Sequence, residues 1–287
     1  MKLIVMGANG LMGQEFRRVL PTNETYFASR LDCDITDIVS VRKYIQSLGI
    51  SDEFTIINCA ANRDAERMEN DNYDSAKKIT VDGPHNLAVV ANEMGGRLIH
   101  FSSDYVFDGS KNTPYTETDE TRGLSIYGKL KVISEQDLMQ TANTVVIIRP
   151  AWIFSQYGKD FVKTIYKLGQ TNRELRVVYD QVGSPTYGAD LARHVNQIIP
   201  KIKSGTREIY HLTNEGVCSW YDLACTIKQY CGLTCEIIPV RSHEYKQNAP
   251  RPSYSVLDKS KIKKDFNINI RHYSDALREC CDQIRGL

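Results

Sequence analysis

Short apolar runs and longer amphipathic stretches take turns along the first half of the chain. "KLIVM" (2 to 6) leads into "GLMGQEFRRVL", "TYFAS" (25 to 29) into "ITDIVSVRKYIQSL", and "FTIINCA" (54 to 60) into a segment ending "GPHNLAVVANEMG". "RLIHFSS" (97 to 103) follows, then a Thr-, Asp- and Glu-rich loop, the helical "YGKLKVISEQDLMQ" and the apolar "TVVIIRP" (144 to 150). Strand and helix in strict alternation predict an α/β fold, a doubly wound parallel sheet of the Rossmann type with helices on both faces. Continuous apolar strands fit burial on both sides.

Beyond residue 150 the rhythm loosens. "FVKTIYKLG" and "ADLARHVNQII" predict helices, "LRVVYD", "EIYHLT" and "CEIIPV" predict strands, and "YSDALRECCDQIRG" predicts a closing helix after the irregular "EYKQNAPRPSYSV". The expected division is a dinucleotide-binding domain over 1–150 and a smaller C-terminal α/β substrate domain over 151–287. Some of the later segments are expected to return to the first domain.

Composition narrows the class. A chain of 287 residues with 41% hydrophobic and 25% charged residues is ordinary for a globular protein with a large core. Its 36 basic and 35 acidic side chains balance, so no net field draws it to nucleic acid or to an anionic membrane. The five-residue apolar run before Gly7 is too short for a signal peptide, and no stretch approaches the ~20 apolar residues of a membrane span. The expectation is a cytoplasmic protein. The eight cysteines contain no Cys-x-x-Cys pair, and "CGLTC" (231 to 235) has no second pair at zinc-site spacing, so they are read as thiols and no metal site is assigned.

Gly7, Gly10 and Gly13 in "GANGLMG" follow the first apolar run directly and open the first amphipathic stretch. Glycines at such a turn let backbone N–H groups approach a pyrophosphate at the positive end of the helix dipole. The spacing is G-x-x-G-x-x-G, not the G-x-G-x-x-G of the dinucleotide fingerprint, and a tight packing turn is the plainer reading. Its place, flanked by strand and helix in an alternating chain, favours dinucleotide binding. The fingerprint expects an acid about 20 residues on to hold an NAD ribose. Here the second strand ends "ASR", and Ser29 and Arg30 suit a 2′-phosphate better, so NADP(H) is the preferred cofactor. Asp32 and Asp34 keep NAD(H) open.

"SIYGKLK" (125 to 131) sets Tyr127 and Lys131 four apart, on one side of a helix. The same spacing recurs at Tyr73 and Lys77, where no strand directly precedes it, and that copy is read as a solvated face. Ligands of doubly wound sheets bind beyond the carboxyl ends of the strands, where "RLIHFSS" delivers Ser102 and Ser103. A phenol titrates near pKa ~10, and an ammonium beside it favours the phenolate. Tyr127 would give a proton to a carbonyl oxygen as hydride arrives, with Ser103 hydrogen-bonding that oxygen and Lys131 acting on Tyr127. Trp152 packs either against a flat substrate group or in the core. Arg251 in "APRPSY" either pairs a phosphate or lies on the surface. His100 and His211, inside strand-like runs, are read as structural.

These glycines, "NCAA" (58 to 61), "SSDYVFDG" (102 to 109), Tyr127-x-x-x-Lys131 and "DQVGSPT" (180 to 186) together resemble the extended short-chain dehydrogenase/reductases, and within them the dTDP-4-dehydrorhamnose reductase family. The resemblance covers nearly the whole chain, and "SSDYVFDG" and "DQVGSPT" are its specific parts. It implies reduction of the 4-keto group of dTDP-4-dehydro-L-rhamnose, a nucleotide-sugar substrate. It further implies Tyr127 as proton donor with Lys131 and Ser103. Gly10, Leu11 and Met12 would meet the pyrophosphate, Asp34 and Ile35 the adenine side. Ala60, Ala61 and Asn62 would line the cofactor, and Ser103, Asp104 and Trp152 would face the sugar. Ser103 stands where the family usually has threonine, Asn62 where it has an aromatic or histidine, and Asp160 where it has asparagine. The last two departures leave the sugar open.

Two other readings stay beside this one. One is a reductase or epimerase of another sugar nucleotide. The other is a non-catalytic NADP-binding subunit that resembles the β subunit of methionine adenosyltransferase. Some family members dimerise through a metal ion, and a homodimer stays open here.

Overall fold

The computed structural model describes residues 1–62, 64–71 and 73–286. β1 (Lys2–Met6) leads through the glycine turn into α1 (Leu11–Val19), followed by β2 (Thr25–Ala28) and α2 (Ile38–Ser47). β3 (Phe54–Asn58) precedes α3 (Ala65–Asp71), α4 (Tyr73–Lys77) and α5 (Gly83–Glu93). β4 (Arg97–Phe101) runs into a single turn at Asp104–Val106, and a long loop joins this to α6 (Ile126–Thr141) and β5 (Val145–Arg149).

The later chain contributes β6 (Ile153–Phe154), α7 (Phe161–Thr171), β7 (Glu174–Val178), β8 (Val182–Gly183), β9 (Thr186–Tyr187) and α8 (Gly188–Ile198). Then come β10 (Arg207–His211), β11 (Cys218–Ser219), α9 (Trp220–Cys231), β12 (Glu236–Val240), α10 (Ser260–Phe266) and α11 (Tyr273–Arg285).

Six strands form one parallel sheet in the order β10-β5-β4-β3-β1-β2. Strand side chains point alternately to the two faces, and both faces are covered. Leu3, Val5, Ile57, Ile99 and Val146 pack with Phe16 of α1 and Leu191 and Val195 of α8. Ile4, Met6, Ile56, Leu98 and Val145 pack with Val41, Leu87 and Leu138 of α2, α5 and α6. A second core, including Phe154, Ile165, Ile227 and Leu277, joins α7, α9 and α11 to the parallel pair β7 and β12. "EIYHLT" supplies β10, which pairs with β5 and completes the edge of the first sheet from beyond residue 150.

The strand order reverses at β1, which has β2 on one side and β3 on the other. The turns after β1, β2 and β3 wall a crevice at the carboxyl ends of the strands, the usual place for a ligand in such sheets. All eight cysteines are free thiols, with Cys231 and Cys235 of "CGLTC" buried in the second core. No helix among the described residues is long and apolar enough to cross a membrane.

Candidate active site

The crevice holds a cavity of about 290 Å³ lined by Gly7, Gly10, Ser29, Arg30, Asp34, Ile35, Ala60 and Ala61. Gly7 has φ +74°, and a Cβ there would lie 2.6 Å from Ala60 N, so the turns after β1 and β3 touch backbone to backbone. Only glycine meets both demands. Gly10 caps α1 without any side-chain hydrogen bond, which leaves the helix's first N–H groups free for an anion. Gly13 serves packing: its Cβ would lie 2.5 Å from Gly7 O. Leu11 and Met12 are buried in the core and take part in the turn through their backbone. Asn62 does not line the cavity; its side chain accepts from Asp64 N at 3.1 Å.

At the end of β2 the two carboxylates are occupied by their own loop. Asp32 accepts from Ser29 N and Ser29 Oγ at 2.8 and 2.6 Å, bonds that hold its pKa below the ordinary value. Asp34 accepts from Thr36 Oγ and N at 2.8 and 3.0 Å, which lowers its pKa, with Arg30 3.6 Å away adding to the effect. The Arg30 side chain is 78% exposed at the rim. Its guanidinium is the group there best placed for a further anion.

A neighbouring cavity of about 310 Å³ is bounded by Ser103, Asp104, Tyr127, Trp152 and Arg251, brought together from across the chain. Ser125 starts α6 by accepting from Gly128 N at 3.1 Å, which sets Tyr127 in the first turn. Gly128 lets α6 press on the turn after β4, since a Cβ there would lie 2.2 Å from Tyr105 O. Glu69 of α3 accepts from Ile126 N at 2.6 Å and fixes the same end. Tyr127 packs edge-on to Tyr105, with ring centres 5.7 Å apart. The Tyr73 and Lys77 copy lies elsewhere: Tyr73 is 46% exposed and Lys77 pairs with Asp82.

Lys131 sits beneath Tyr127, 2% exposed, with Nζ donating to Phe101 O at 2.7 Å and lying 6.0 Å from the centre of the Tyr127 ring. Burial pulls its pKa down to about 8, with Glu135 opposing the shift. Glu135 accepts twice from Arg149, at 2.8 and 2.6 Å, and Arg149 also meets His211 Nε2 at 3.3 Å. His211 Nδ1 faces the Tyr115 carbonyl, so the ring is neutral with its proton on Nδ1. Burial, aided by Arg149, drops its pKa to about 3. His100 is buried against Asn58 at 3.2 Å, and burial holds its pKa well below the ordinary value.

Ser103 Oγ accepts from Tyr105 N at 3.2 Å and shares a 2.9 Å hydrogen bond with Asp104 Oδ1. Asp104 is 2% exposed, and burial raises its pKa to about 6. Trp152 has φ +48°, a conformation that costs a non-glycine residue on the order of 1–3 kcal/mol. It is held by face-to-face stacking on Trp220, with centres 3.6 Å apart and planes 8° apart. Gly183 makes room behind it, since a Cβ there would lie 2.7 Å from Trp152 Cε2.

Trp220, Gln247 and Glu66 at this site have no local signal in the sequence. Trp220 and Arg251 also border a third, mainly apolar cavity of about 280 Å³ with Phe161, Ile165, Leu168 and Val177. Gln247 lines it, and its buried Oε1 has no hydrogen-bond partner. Glu66 accepts from Asn248 N and from Arg251 Nη2 at 2.8 and 3.0 Å, while Arg251 Nε is buried without a hydrogen-bond partner. Asp160 caps α7 by accepting from Lys163 N at 3.0 Å and lines none of these cavities. No group of three or more His, Cys, Asp or Glu among the described residues is arranged to hold a metal.

A doubly wound sheet with a glycine turn at its switch point, a serine after β4, and a tyrosine and lysine four apart on α6 defines an oxidoreductase of the extended short-chain dehydrogenase/reductase class. Residues 1–285 match the family described as the RmlD substrate binding domain, and the chain belongs to that family. It is 37% identical over 278 residues to the spore coat polysaccharide biosynthesis protein SpsK of Bacillus subtilis, covering 97% of this chain and 96% of the relative. It is 34% identical to a dTDP-4-dehydrorhamnose reductase of Aggregatibacter actinomycetemcomitans, covering 96% of this chain and 97% of the relative. A crystal structure of dTDP-4-dehydrorhamnose reductase from Bacillus anthracis in complex with NADP superposes with a TM-score of 0.92 at 32% identity. It covers 99% of this chain and 100% of that one. The Clostridium acetobutylicum orthologue gives 0.92 at 36% identity, over 99% and 100%.

Proposed function

We propose that the protein reduces the 4-keto group of dTDP-4-dehydro-L-rhamnose to give dTDP-L-rhamnose, with NADPH as the preferred reductant. One observation carries the reading. A cavity lined by Ser103 and Tyr127 opens at the end of β4, beside the end of β3 that walls the glycine-turn crevice, and shares Trp220 and Arg251 with an apolar cavity. That sequence of spaces suits a keto sugar joined through phosphates to a nucleoside. Arg251 Nε and Gln247 Oε1, a buried donor and a buried acceptor without hydrogen-bond partners, suit a phosphate oxygen and a base N–H.

The dinucleotide is held by the free N–H groups that follow Gly10, by Ala60 and Ala61 along one wall, and by Arg30 at the 2′-phosphate, with Ser29 lining the same rim while both its donors serve Asp32. When bound, it supplies the hydride. Tyr127 gives its proton to the ketone oxygen, Ser103 donates a hydrogen bond to that oxygen, and Lys131 favours the phenolate left behind. Lys131 also has ammonium donors beyond its Phe101 bond for the cofactor ribose. Asp104 and Trp152 border the sugar. The name of the Bacillus subtilis relative supports a place in polysaccharide synthesis.

The test is NADPH oxidation with dTDP-4-dehydro-L-rhamnose against GDP- and UDP-linked keto sugars. The reading predicts turnover with the dTDP sugar above the others. Faster turnover of another nucleotide sugar replaces the substrate. Tight NADPH binding with no oxidation of any of them replaces the enzyme by a partner-binding protein.

A further inference from the structure

Two of the three hydrogen-bonding positions of Ser103 Oγ are taken by neighbouring atoms, and the protonation of Asp104 decides which kind of position is left. A serine hydroxyl has one proton and two lone pairs. One lone pair of Ser103 Oγ is taken by Tyr105 N–H at 3.2 Å, and Asp104 Oδ1 lies 2.9 Å away. If Asp104 is a carboxylate, the Ser103 proton goes to it, and only a lone pair is left to face a ketone oxygen. Two acceptors then meet. If Asp104 is a carboxylic acid, its own proton fills the second lone pair of Ser103, and the hydroxyl proton is free for the ketone.

We propose that Asp104 is a positioning residue that works as the neutral acid, holding its proton toward Ser103 so that the Ser103 hydroxyl donates to the ketone oxygen. This rests on the reductase reading above. The surroundings of Asp104 favour the neutral form. Its side chain is 2% exposed, and Oδ2 has no hydrogen-bond partner. No cation among the described residues forms an ion pair with it; Arg251, the cation on this cavity, bonds Glu66 instead. The other titratable groups around the cavity are Tyr105 on the same turn, Tyr127 on α6, and Asp64 and Glu66 at α3. A buried carboxylate with one oxygen unpaired is costly, whereas the acid leaves only a carbonyl unpaired. The upward shift to about 6, in which burial outweighs the opposing Ser255 and Ser103 hydroxyls and the Asp104 and Tyr105 backbone N–H groups, agrees in direction.

Asn at this position can donate from Nδ2 to Ser103 at every pH; Leu cannot donate at all. In wild type, reductase kcat/KM is expected to fall about tenfold per pH unit above the Asp104 pKa. In Asp104→Asn that limb disappears, so the ratio of rates at about pH 8 and about pH 5 rises about tenfold or more. Asp104→Leu is expected to lose as much as Ser103→Ala, with Asn restoring most of the loss. An Asn variant with the wild-type pH profile, or one as impaired as Ser103→Ala, overturns the proposal. Infrared difference spectra of the unliganded protein need no substrate. A protonated-carboxyl carbonyl band is expected to vanish between about pH 5 and 8 and to be missing in Asp104→Asn; its absence from wild type also overturns the proposal. Failure of every sugar nucleotide to turn over would sink the reductase reading while leaving this spectral test in force.

Discussion

Lys131 Nζ donates to the carbonyl oxygen of Phe101, so the ammonium is tied to the carboxyl end of β4 while lying 6.0 Å from the centre of the Tyr127 ring. Burial places its titration near 8, below the ordinary lysine value. The unfolded chain therefore holds more protons at this residue between about 8 and about 10.4, and its contribution to stability rises with pH across that window. At neutral pH the buried cation costs stability. Lys131→Met is expected to lower turnover by about 10²-fold or more while leaving the urea midpoint unchanged or higher at pH ~7. Marked destabilisation would make Lys131 a structural residue.

Tyr127 stands in the first turn of α6 at the wall of the Ser103 cavity. Tyr127→Phe removes one oxygen and keeps the ring that packs on Tyr105. Turnover is expected to fall about 10²–10⁴-fold, with NADPH affinity within about twofold of wild type. Rate assays with a parallel cofactor titration decide it, and substantial residual turnover would assign the proton donor elsewhere.

Arg30 extends into solvent at the rim of the crevice, while Asp32 is folded back on Ser29. Arg30→Ala is expected to weaken NADPH about tenfold and NADH little, the effect of losing one charge-assisted contact to a phosphate. Equal changes for the two cofactors would remove the 2′-phosphate assignment.

Glu135 and Arg149 form a bidentate pair in which both side chains are almost fully buried. Glu135→Gln leaves the Arg149 cation without its counter-charge. The expected loss is about 3–5 kcal/mol in urea unfolding, larger than for Glu135→Leu combined with Arg149→Met. A loss below about 1 kcal/mol would mean that water or another acid takes over.

The central sheet was legible because its strands are continuous apolar runs. β1, β3 and β5 fall inside "KLIVM", "FTIINCA" and "TVVIIRP". Two-residue strands such as β6, β8, β9 and β11 are too short to carry a period, so their pairings had no signature. At the site, Ser103 and Tyr127 follow from the rule that ligands lie beyond strand ends. Glu66 does not, because its partners Asn248 and Arg251 are 182 and 185 residues away. Glu66 clamps the loop at 248–251 and Glu69 holds the start of α6, contacts that only the assembled fold creates. Leu11 and Met12 show the opposite limit: the helix N-terminus needs their N–H groups, and their side chains answer to the core.

The chain has two tryptophans, and they are the stacked pair Trp152 and Trp220 at the wall of the Ser103 cavity. Its entire indole emission, and any indole exciton signal in circular dichroism, therefore originates at this one spot. Occupancy of the cavity can be followed optically in the unlabelled protein, and a change at a distant surface should leave that light unaltered.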